Sequence, residues 1–233
     1  MIIGHRGAKA LEPENTLRAL RRGLECADYV EIDVRMTCDG ELVVIHDPTL
    51  ERTTNGTGRV GDHTLRELRE LDAGKGEKIP TLAEVLELVR GSSGLVLEIK
   101  EPGTEYQISR EVAFCRPDRL LIVSFHEESI AAIRRELPDA ATGLIISEKN
   151  PATIENARIL GAAAVLTKMT VLKPAMVTEA HEKGLMVISW TLNARKDYHI
   201  AEMMNVDGIA TDDPCGARSV SYTHLTLPTK RIV

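Results

Sequence analysis

The sequence predicts an α/β fold, a (β/α)8 TIM barrel with a small insertion after the second strand unit. Short runs rich in Val, Ile and Leu alternate with amphipathic helical stretches along the 233-residue chain. Near-continuous apolar runs are typical of strands covered on both faces, as in a parallel sheet. Eight strands in this alternation favour a closed barrel over an open doubly wound sheet.

Nine apolar runs have the length and composition of strands. In chain order they are MIIGH, YVEIDVRM, ELVVIHD, GLVLEIK, RLLIVSF, ATGLII, AAVLTK, LMVISW and VDGIAT. We count ELVVIHD as a partner of the strand before it, because the turn Cys38-Asp39-Gly40 joins the two. Eight strands are then left for the barrel.

Stretches between these runs have a helical period. They are PENTLRALRRGLECA, PTLAEVLELVR, EESIAAIRREL, PATIENARILG, KPAMVTEAHEKG and NARKDYHIAEMM. Pro13, Pro151 and Pro174 fall near first turns, where the missing N–H of proline is tolerated. Gly161 and Gly184 follow last turns, which is a common way for a helix to end.

Two segments interrupt this alternation. Residues 48–78 are rich in Thr, Gly and charge and contain no core strand, so we expect an insertion over one end of a single barrel domain spanning residues 1–218. Residues 219–233 lack a helical period, contain Pro228 and resemble a translated sequencing adapter. We therefore expect a non-native tail and a missing final helix.

Composition narrows the classes of function. A net charge of −6 argues against nucleic acid as a partner, and an aromatic content of 3% argues against large stacking surfaces. The absence of a charged leader and of a long apolar run predicts a soluble, cytoplasmic protein without stable membrane insertion. The cysteines have no zinc-ligand spacing and are expected to be reduced thiols; they are Cys26, Cys38, Cys115 and Cys215.

Polar residues concentrate at the ends of the strand runs. Glu31 and Asp33 are two positions apart, as are Glu98 and Lys100, so each pair shares one face of its strand. Burying these acids under covering helices would cost several kcal/mol each, roughly, unless they were paired. We therefore place them in the lumen at the carboxyl end of the barrel, where barrel active sites lie.

Three carboxylates that converge on one point repel each other unless a cation lies among them. Ligands that are all oxygen suit Mg²⁺ or Ca²⁺ better than zinc, so Glu31, Asp33 and Glu98 are candidate ligands of one divalent ion. The alternative is that Glu98 pairs with Lys100 and the other two acids accept backbone hydrogen bonds.

The remaining strand-end residues suit work on a phosphate. His5 and His46 follow different strand runs and could act as a general acid and a general base. Arg6 and Lys100 supply fixed positive charge for an anion, which together with a metal points to phosphoryl transfer. Trp190 ends its strand run and is either core or the wall of a substrate pocket.

Together these motifs resemble the glycerophosphodiester phosphodiesterase family. The likeness rests on HRG…PENT, ExD, DGELVVIHD, LERTTNGTG, EIKEP and TDDP, from Ile2 to about Pro214. It implies a TIM barrel that hydrolyses glycerophosphodiesters to glycerol 3-phosphate and an alcohol. It also implies that the glycerol 2-hydroxyl attacks phosphorus to give a cyclic phosphate, which water then opens.

The resemblance assigns a role to each candidate residue. The roles are acid–base catalysis for His5 and His46, metal binding for Glu31, Asp33 and Glu98, phosphate binding for Arg6 and Lys100, and the border of the glycerol pocket for Trp190. A lysophospholipase-D-like activity and a non-catalytic phosphate-binding barrel remain alternatives. Phospholipase C chemistry on phosphatidylinositol fits less well, because the three carboxylates and the PENT segment argue against it.

Overall fold

The computed structural model of the chain describes residues 1–91, 94–115, 117–148, 150 and 152–225, with only the backbone described for residues 220–225. Within these ranges, eight parallel strands form a closed barrel, and a ninth strand pairs antiparallel with the carboxyl-terminal end of one barrel strand. The strands are β1 (Ile2–Gly4), β2 (Tyr29–Met36), β3 (Leu42–Val44), β4 (Gly94–Ile99), β5 (Leu120–Ser124), β6 (Ala141–Ile146), β7 (Ala164–Lys168), β8 (Met186–Trp190) and β9 (Gly208–Thr211).

Helices connect the barrel strands and cover the outside of the sheet. They are α1 (Leu17–Leu24), α2 (Leu65–Glu70), α3 (Leu82–Val89), α4 (Glu105–Cys115), α5 (Glu127–Glu136), α6 (Thr153–Ile159), α7 (Pro174–Glu182), α8 (Arg195–Met203) and α9 (Pro214–Leu225). The barrel closes where β1 pairs with both β2 and β9. The predicted TIM barrel is confirmed, including the antiparallel pairing of β3 with β2.

The lumen of the barrel contains its own apolar core. Its buried members come from seven strands and are Ile3, Val96, Leu121, Val123, Ile145, Ala164, Leu166, Ile188 and Ala210. Val96 shares a face of β4 with Glu98, because the two residues are two positions apart. Glu98 therefore lies on the lumen face, above this apolar core.

The sequence pattern missed α4, between β4 and β5. Only Ile108 and Val112 are buried apolar side chains of this helix, and polar Glu105 and Ser109 occupy the other buried positions. A helix that buries so little hydrocarbon gives a weak apolar period.

Among the described residues, no helix is both long enough and apolar enough to span a membrane.

Residues 48–78 add a small packed unit beside β3. Leu50, Val60 and Leu68 are buried there against Val43 and Ile79. The segment contains a 3-10 helix at Val60–Asp62 and the short helix α2, which begins with a capping box. A hydrophobic cluster separate from the barrel core therefore packs the segment against β3.

The expectation of a missing final helix is wrong, because the backbone continues into α9. Asp213 caps this helix, its Oδ1 accepting a hydrogen bond from the Gly216 amide at 2.8 Å. Ala217 is buried against Ile2, and Arg218 forms an ion pair with Asp28 at 2.6 Å. These anchors lie in the first turns, before the tail-like sequence. Residues 226–233 of the expected non-native tail lie outside the described residues.

The expectation of reduced thiols is wrong for two of the cysteines. Cys26, just after α1, forms a disulfide with Cys215, in the first turn of α9. Cys38 and Cys115 are free cysteines in the described part of the chain. The disulfide joins positions 189 residues apart, so it ties the last helix to the first across the seam where the barrel closes.

We predict that removing this disulfide destabilises the chain strongly. A crosslink that closes so long a loop restricts the unfolded chain, and its loss should lower the free energy of unfolding by about 2–5 kcal/mol. The test is a denaturant titration of the Cys26→Ser/Cys215→Ser double variant. The Cys38→Ser/Cys115→Ser variant is the control and should unfold as the wild type does. Equal stability of both variants would contradict a stabilising disulfide.

Candidate active site

A cavity of about 110 Å³ opens at the carboxyl end of the barrel. One side is charged and the other is apolar. Its lining residues are His5, Arg6, Glu31, His46, Glu98, Lys100, Val123, Phe125, Ile145, Leu166, Trp190 and Ala210. The cavity therefore contains every predicted site residue except Asp33, which is fully buried.

The acidic cluster consists of Glu31, Asp33 and Glu98. Asp33 and Glu98 are paired in the register of β2 and β4, and Glu31 is two positions before Asp33 on the same face. One carboxylate oxygen from each residue lies within 4.8 Å of the others. The structure thus brings together the three acids that the sequence placed on one lumen face.

Crowding of these acids changes how two of them ionise. Burial, followed by the nearby charge of Asp33, raises the pKa of the Glu98 carboxyl to about 7. Burial also raises the pKa of Glu31, and the charges of Asp33 and Glu98 add to the effect. Without a further cation, the cluster therefore holds protons near neutral pH.

Asp33 behaves differently because cations and an amide surround it. Burial alone would raise its pKa, but Lys100 and Arg6 outweigh burial and lower it. The Asn15 side-chain amide donates to Asp33 Oδ2 at 2.8 Å. Asp33 Oδ1 is buried and receives no hydrogen bond from any described residue, although Lys100 Nζ lies 3.4 Å away.

This donor set fits a hard divalent cation. Metal–oxygen bonds of about 2.0–2.6 Å allow one ion to reach oxygens up to roughly 5 Å apart. The three oxygens lie within that spacing, and one of them, Asp33 Oδ1, is buried without a hydrogen bond within the described ranges. The ion pair of Glu98 with Lys100, which was the alternative to a metal site, is also present, since Lys100 Nζ lies 2.5 Å from Glu98 Oε1.

The loop after β1 places Arg6 against the acidic cluster. Its main-chain amide donates to Glu31 Oε2 at 2.7 Å, and its Nε lies 3.3 Å from Asp33 Oδ2. This geometry needs a left-handed backbone at Arg6 (φ 52°) and at Gly7 (φ 85°). A Cβ on Gly7 would lie 2.5 Å from the Ala19 carbonyl carbon. The HRG sequence therefore fits a tight turn packed directly on α1.

Each histidine is held by an aspartate. His5 Nδ1 lies 2.6 Å from Asp212 Oδ1, and His46 Nδ1 lies 2.6 Å from Asp47 Oδ1. With Nδ1 engaged, Nε2 is the ring nitrogen left for proton transfer. Burial lowers the pKa of His46 below its ordinary value of 6.5, although the charge of Asp33 opposes this effect.

The apolar side of the cavity is built around two aromatic rings. Phe125 and Trp190 meet edge to face, with ring centroids 6.0 Å apart. The Trp190 indole N–H donates to the Leu166 carbonyl at 2.9 Å, which fixes the ring. Trp190 is therefore a cavity wall rather than internal core. Lys100 Nζ lies 5.9 Å from the centre of the Phe125 ring, where the charged and apolar sides meet.

Several residues of the site were not singled out by the sequence. Asp212 and Asp47 hold the histidines, and Asn15 holds Asp33. Thr16, the neighbour of Asn15, caps α1 by accepting a hydrogen bond from the Ala19 amide at 3.2 Å. A short polar run after a strand end, as in IHD and TDD, was the available signal for the aspartates. Phe125 had a similar signal, since it directly follows β5.

The chain is similar in sequence to a known family of enzymes. A model of the glycerophosphoryl diester phosphodiesterase family matches residues 5–215. A glycerophosphodiester phosphodiesterase of Caldanaerobacter subterraneus subsp. tengcongensis is 36% identical over 229 residues, covering 92% of this chain and 94% of the relative. One of Bacillus altitudinis is 34% identical, with 91% and 94% covered.

A solved structure is similar over nearly the same length. It is an Oleispira antarctica phosphodiesterase in complex with the product sn-glycerol-3-phosphate. Its TM-score is 0.87 at 28% identity, and the match covers 95% of this chain and 96% of that one. The family resemblance identified from the sequence motifs is therefore confirmed.

We predict that cation binding at the acidic cluster strengthens as pH rises. The folded, metal-free chain keeps a proton on Glu98 up to about pH 7, whereas an unfolded glutamate loses it near pH 4.5. That protonation contributes stability at low pH, which is lost as pH rises through this window. A divalent ion replaces the proton, so its stabilising effect should grow with pH.

Thermal melts with EDTA and with Mg²⁺ or Ca²⁺, across this pH range and above it, test the prediction. The increase in Tm caused by the ion should be small near pH 4.5 and largest above about pH 7. Glu98→Gln is the control, because it removes both the titrating group and a ligand. An ion effect that does not change with pH would contradict the account.

Proposed function

Because the chain belongs to the glycerophosphoryl diester phosphodiesterase family, we propose that it hydrolyses glycerophosphodiesters to glycerol 3-phosphate and an alcohol. The proposal rests on one cavity, whose charged side contains a carboxylate cluster, two cations and two histidines. The glycerol 3-phosphate bound by the Oleispira antarctica relative supports this substrate class.

Glu31, Asp33 and Glu98 would hold one divalent cation, Mg²⁺ or Ca²⁺. When bound, the ion supplies positive charge that stabilises negative oxygens developing on the substrate. The three side chains suit this role because they offer only oxygen, and because burial and crowding already raise the pKa of Glu31 and Glu98. Ionisation of all three is then linked to occupancy of the site.

Arg6 and Lys100 bind the phosphate. Arg6 is buried and Lys100 is largely buried, yet the pKa of each is raised, because Asp33 and neighbouring carboxylates outweigh the effect of burial. They therefore stay charged through the reaction. Contacts with the carboxylates fix both side chains before substrate arrives, so little reorganisation is needed when charge develops on the phosphate oxygens.

His5 and His46 transfer the protons. In the first step the glycerol 2-hydroxyl attacks phosphorus, one histidine takes its proton, and the other gives a proton to the departing alcohol. The products are the free alcohol and a cyclic glycerol phosphate. In the second step water attacks phosphorus, the roles of the histidines reverse, and opening of the ring gives glycerol 3-phosphate. The aspartate on each Nδ1 keeps each ring oriented with Nε2 available.

Trp190 and Phe125 form the wall against which the glycerol carbons pack. A barrel that only binds phosphate would not need both histidines, each held at Nδ1 by an aspartate.

We predict release of glycerol 3-phosphate from glycerophosphocholine in the presence of Mg²⁺ or Ca²⁺. Dialysis against EDTA should abolish the release, and addition of the ion should restore it. An analogue that lacks the glycerol 2-hydroxyl should not be cleaved, because the attacking group is absent. Full activity in EDTA would contradict the metal role, and rapid cleavage of the analogue would favour direct attack by water.

We predict that His46→Ala lowers kcat at least about 100-fold, because a positioned general acid or base contributes this much. The matched control is His199→Ala, which removes an exposed histidine of α8 and should leave kcat unchanged. Steady-state kinetics at equal metal concentration, with circular dichroism to check folding, provides the comparison. A kcat for the His46 variant near that of the control would assign proton transfer to another group.

A further inference from the structure

One arginine of the 48–78 segment contacts the support of the active site. The Arg52 guanidinium binds Asp47 through Nε at 2.5 Å and Nη2 at 3.0 Å. It also binds Glu14 through Nη1 at 2.9 Å and Nη2 at 2.7 Å. A single planar fork therefore joins the loop after β3 to the loop before α1.

The two carboxylates that Arg52 joins each hold a different residue of the proposed site. Glu14 Oε1 accepts a hydrogen bond from Arg6 Nη1 at 2.7 Å. Asp47 Oδ1 lies 2.6 Å from His46 Nδ1. The result is a continuous chain of contacts that runs from Arg6 through Glu14, Arg52 and Asp47 to His46.

Positive and negative side chains alternate along this series of contacts, and Arg52 lies between the carboxylates of Glu14 and Asp47. Glu14 and Asp47 share the positive charge of Arg52, and hydrogen bonding to Arg52 lowers the pKa of Asp47. For Glu14, hydrogen bonds and charge from Arg52 and Arg6 outweigh burial and lower the pKa. Without the guanidinium, two anions would face each other across the gap.

The 48–78 segment holds Arg52 in a fixed turn. Leu50 is fully buried in the small cluster beside β3. The Thr54 amide and hydroxyl both donate to the Leu50 carbonyl, at 3.1 and 2.8 Å, and the Asn55 amide donates to the Asp72 carbonyl at 3.1 Å. Hydrogen bonds and the buried Leu50 therefore fix the backbone on either side of Arg52, although 46% of the Arg52 side chain is exposed.

We propose that Arg52 is a positioning residue for phosphodiester cleavage, and that through it the 48–78 segment sets the placement of Arg6 relative to His46. This inference rests on the proposed function. Arg52 does not touch the substrate. It holds the two carboxylates that orient the phosphate-binding side chain and one proton-transferring side chain. A guanidinium fork suits this task because it binds both carboxylates in fixed directions, which an ammonium group cannot do.

The test compares Arg52→Ala with Arg69→Ala. Arg69 belongs to the same segment and also makes a two-fold ion pair, but with Glu84, which lines no part of the cavity. We expect kcat/KM for glycerophosphocholine to fall about 10- to 100-fold in Arg52→Ala, as for other losses of orienting partners. Arg69→Ala should keep wild-type kinetics at a temperature where both variants are folded.

Chemical rescue separates positioning from a general loss of stability. Millimolar guanidinium should restore part of the activity of Arg52→Ala and should not change that of the wild type. Arg52→Lys should recover less than full activity, since one ammonium group cannot make four directed contacts. Wild-type kcat/KM in Arg52→Ala, an equal loss in Arg69→Ala, or absence of rescue by guanidinium would each overturn the proposal.

A binding measurement keeps this inference distinct from the proposed function. Calorimetry with glycerol 3-phosphate should give weaker affinity for Arg52→Ala than for Arg69→Ala, because Arg6 is then less well oriented. If the wild type binds this ligand but cleaves no diester, the proposed function fails while the positioning role of Arg52 is still measured. If the wild type turns over and the two variants match it in both assays, the inference alone fails.

Discussion

Repulsion among three carboxylates at one end of a closed barrel is the constraint on which the site depends. Glu31, Asp33 and Glu98 offer oxygens within 4.8 Å of each other. Glu31 and Asp33 are buried and Glu98 is largely buried, so little water screens the three charges. Arg6 and Lys100 contact the cluster, yet two cations leave one negative charge in excess when all three acids are ionised. A divalent ion would reverse this balance, so ion binding and proton release become one equilibrium.

The barrel strands position the acidic cluster, and the loops at their carboxyl ends position Arg6 and the two histidines of the cavity. Strand alternation puts the acids in the lumen, and the tight turn of the HRG sequence then lets the Arg6 amide reach Glu31. Each histidine is oriented from outside the cluster, His5 by a residue after β9 and His46 by its sequence neighbour. The 48–78 segment adds Arg52 to this support. The Cys26–Cys215 disulfide joins α9 to the end of α1 beside β1, the strand that leads into the HRG turn. Contacts that stabilise the fold therefore lie next to residues of the candidate site.

Local periodicity of the sequence was enough to predict most of the fold and the shared face of the acidic residues. Continuous apolar runs identified the barrel strands, and the two-residue spacing of Glu31 and Asp33 implied a shared face. The helix α4 was missed because it buries little hydrocarbon, and α9 because its anchors are a cap, an ion pair and a disulfide rather than an apolar period. The run TDD could mark Asp212 as a residue at a strand end, but its contact with His5 spans 207 positions, so no local pattern could show that the two side chains meet.

A crystal structure of the chain grown with Mn²⁺ or Ca²⁺ would show whether the three acids hold a single hard cation. Anomalous scattering should reveal one ion in the cavity, with oxygens of Glu31, Asp33 and Glu98 all within about 2.0–2.6 Å. The same experiment on Asp33→Asn should give weaker occupancy at that position. An ion bound elsewhere, or a cluster that stays free of metal at saturating concentration, would show that these acids are not a metal site.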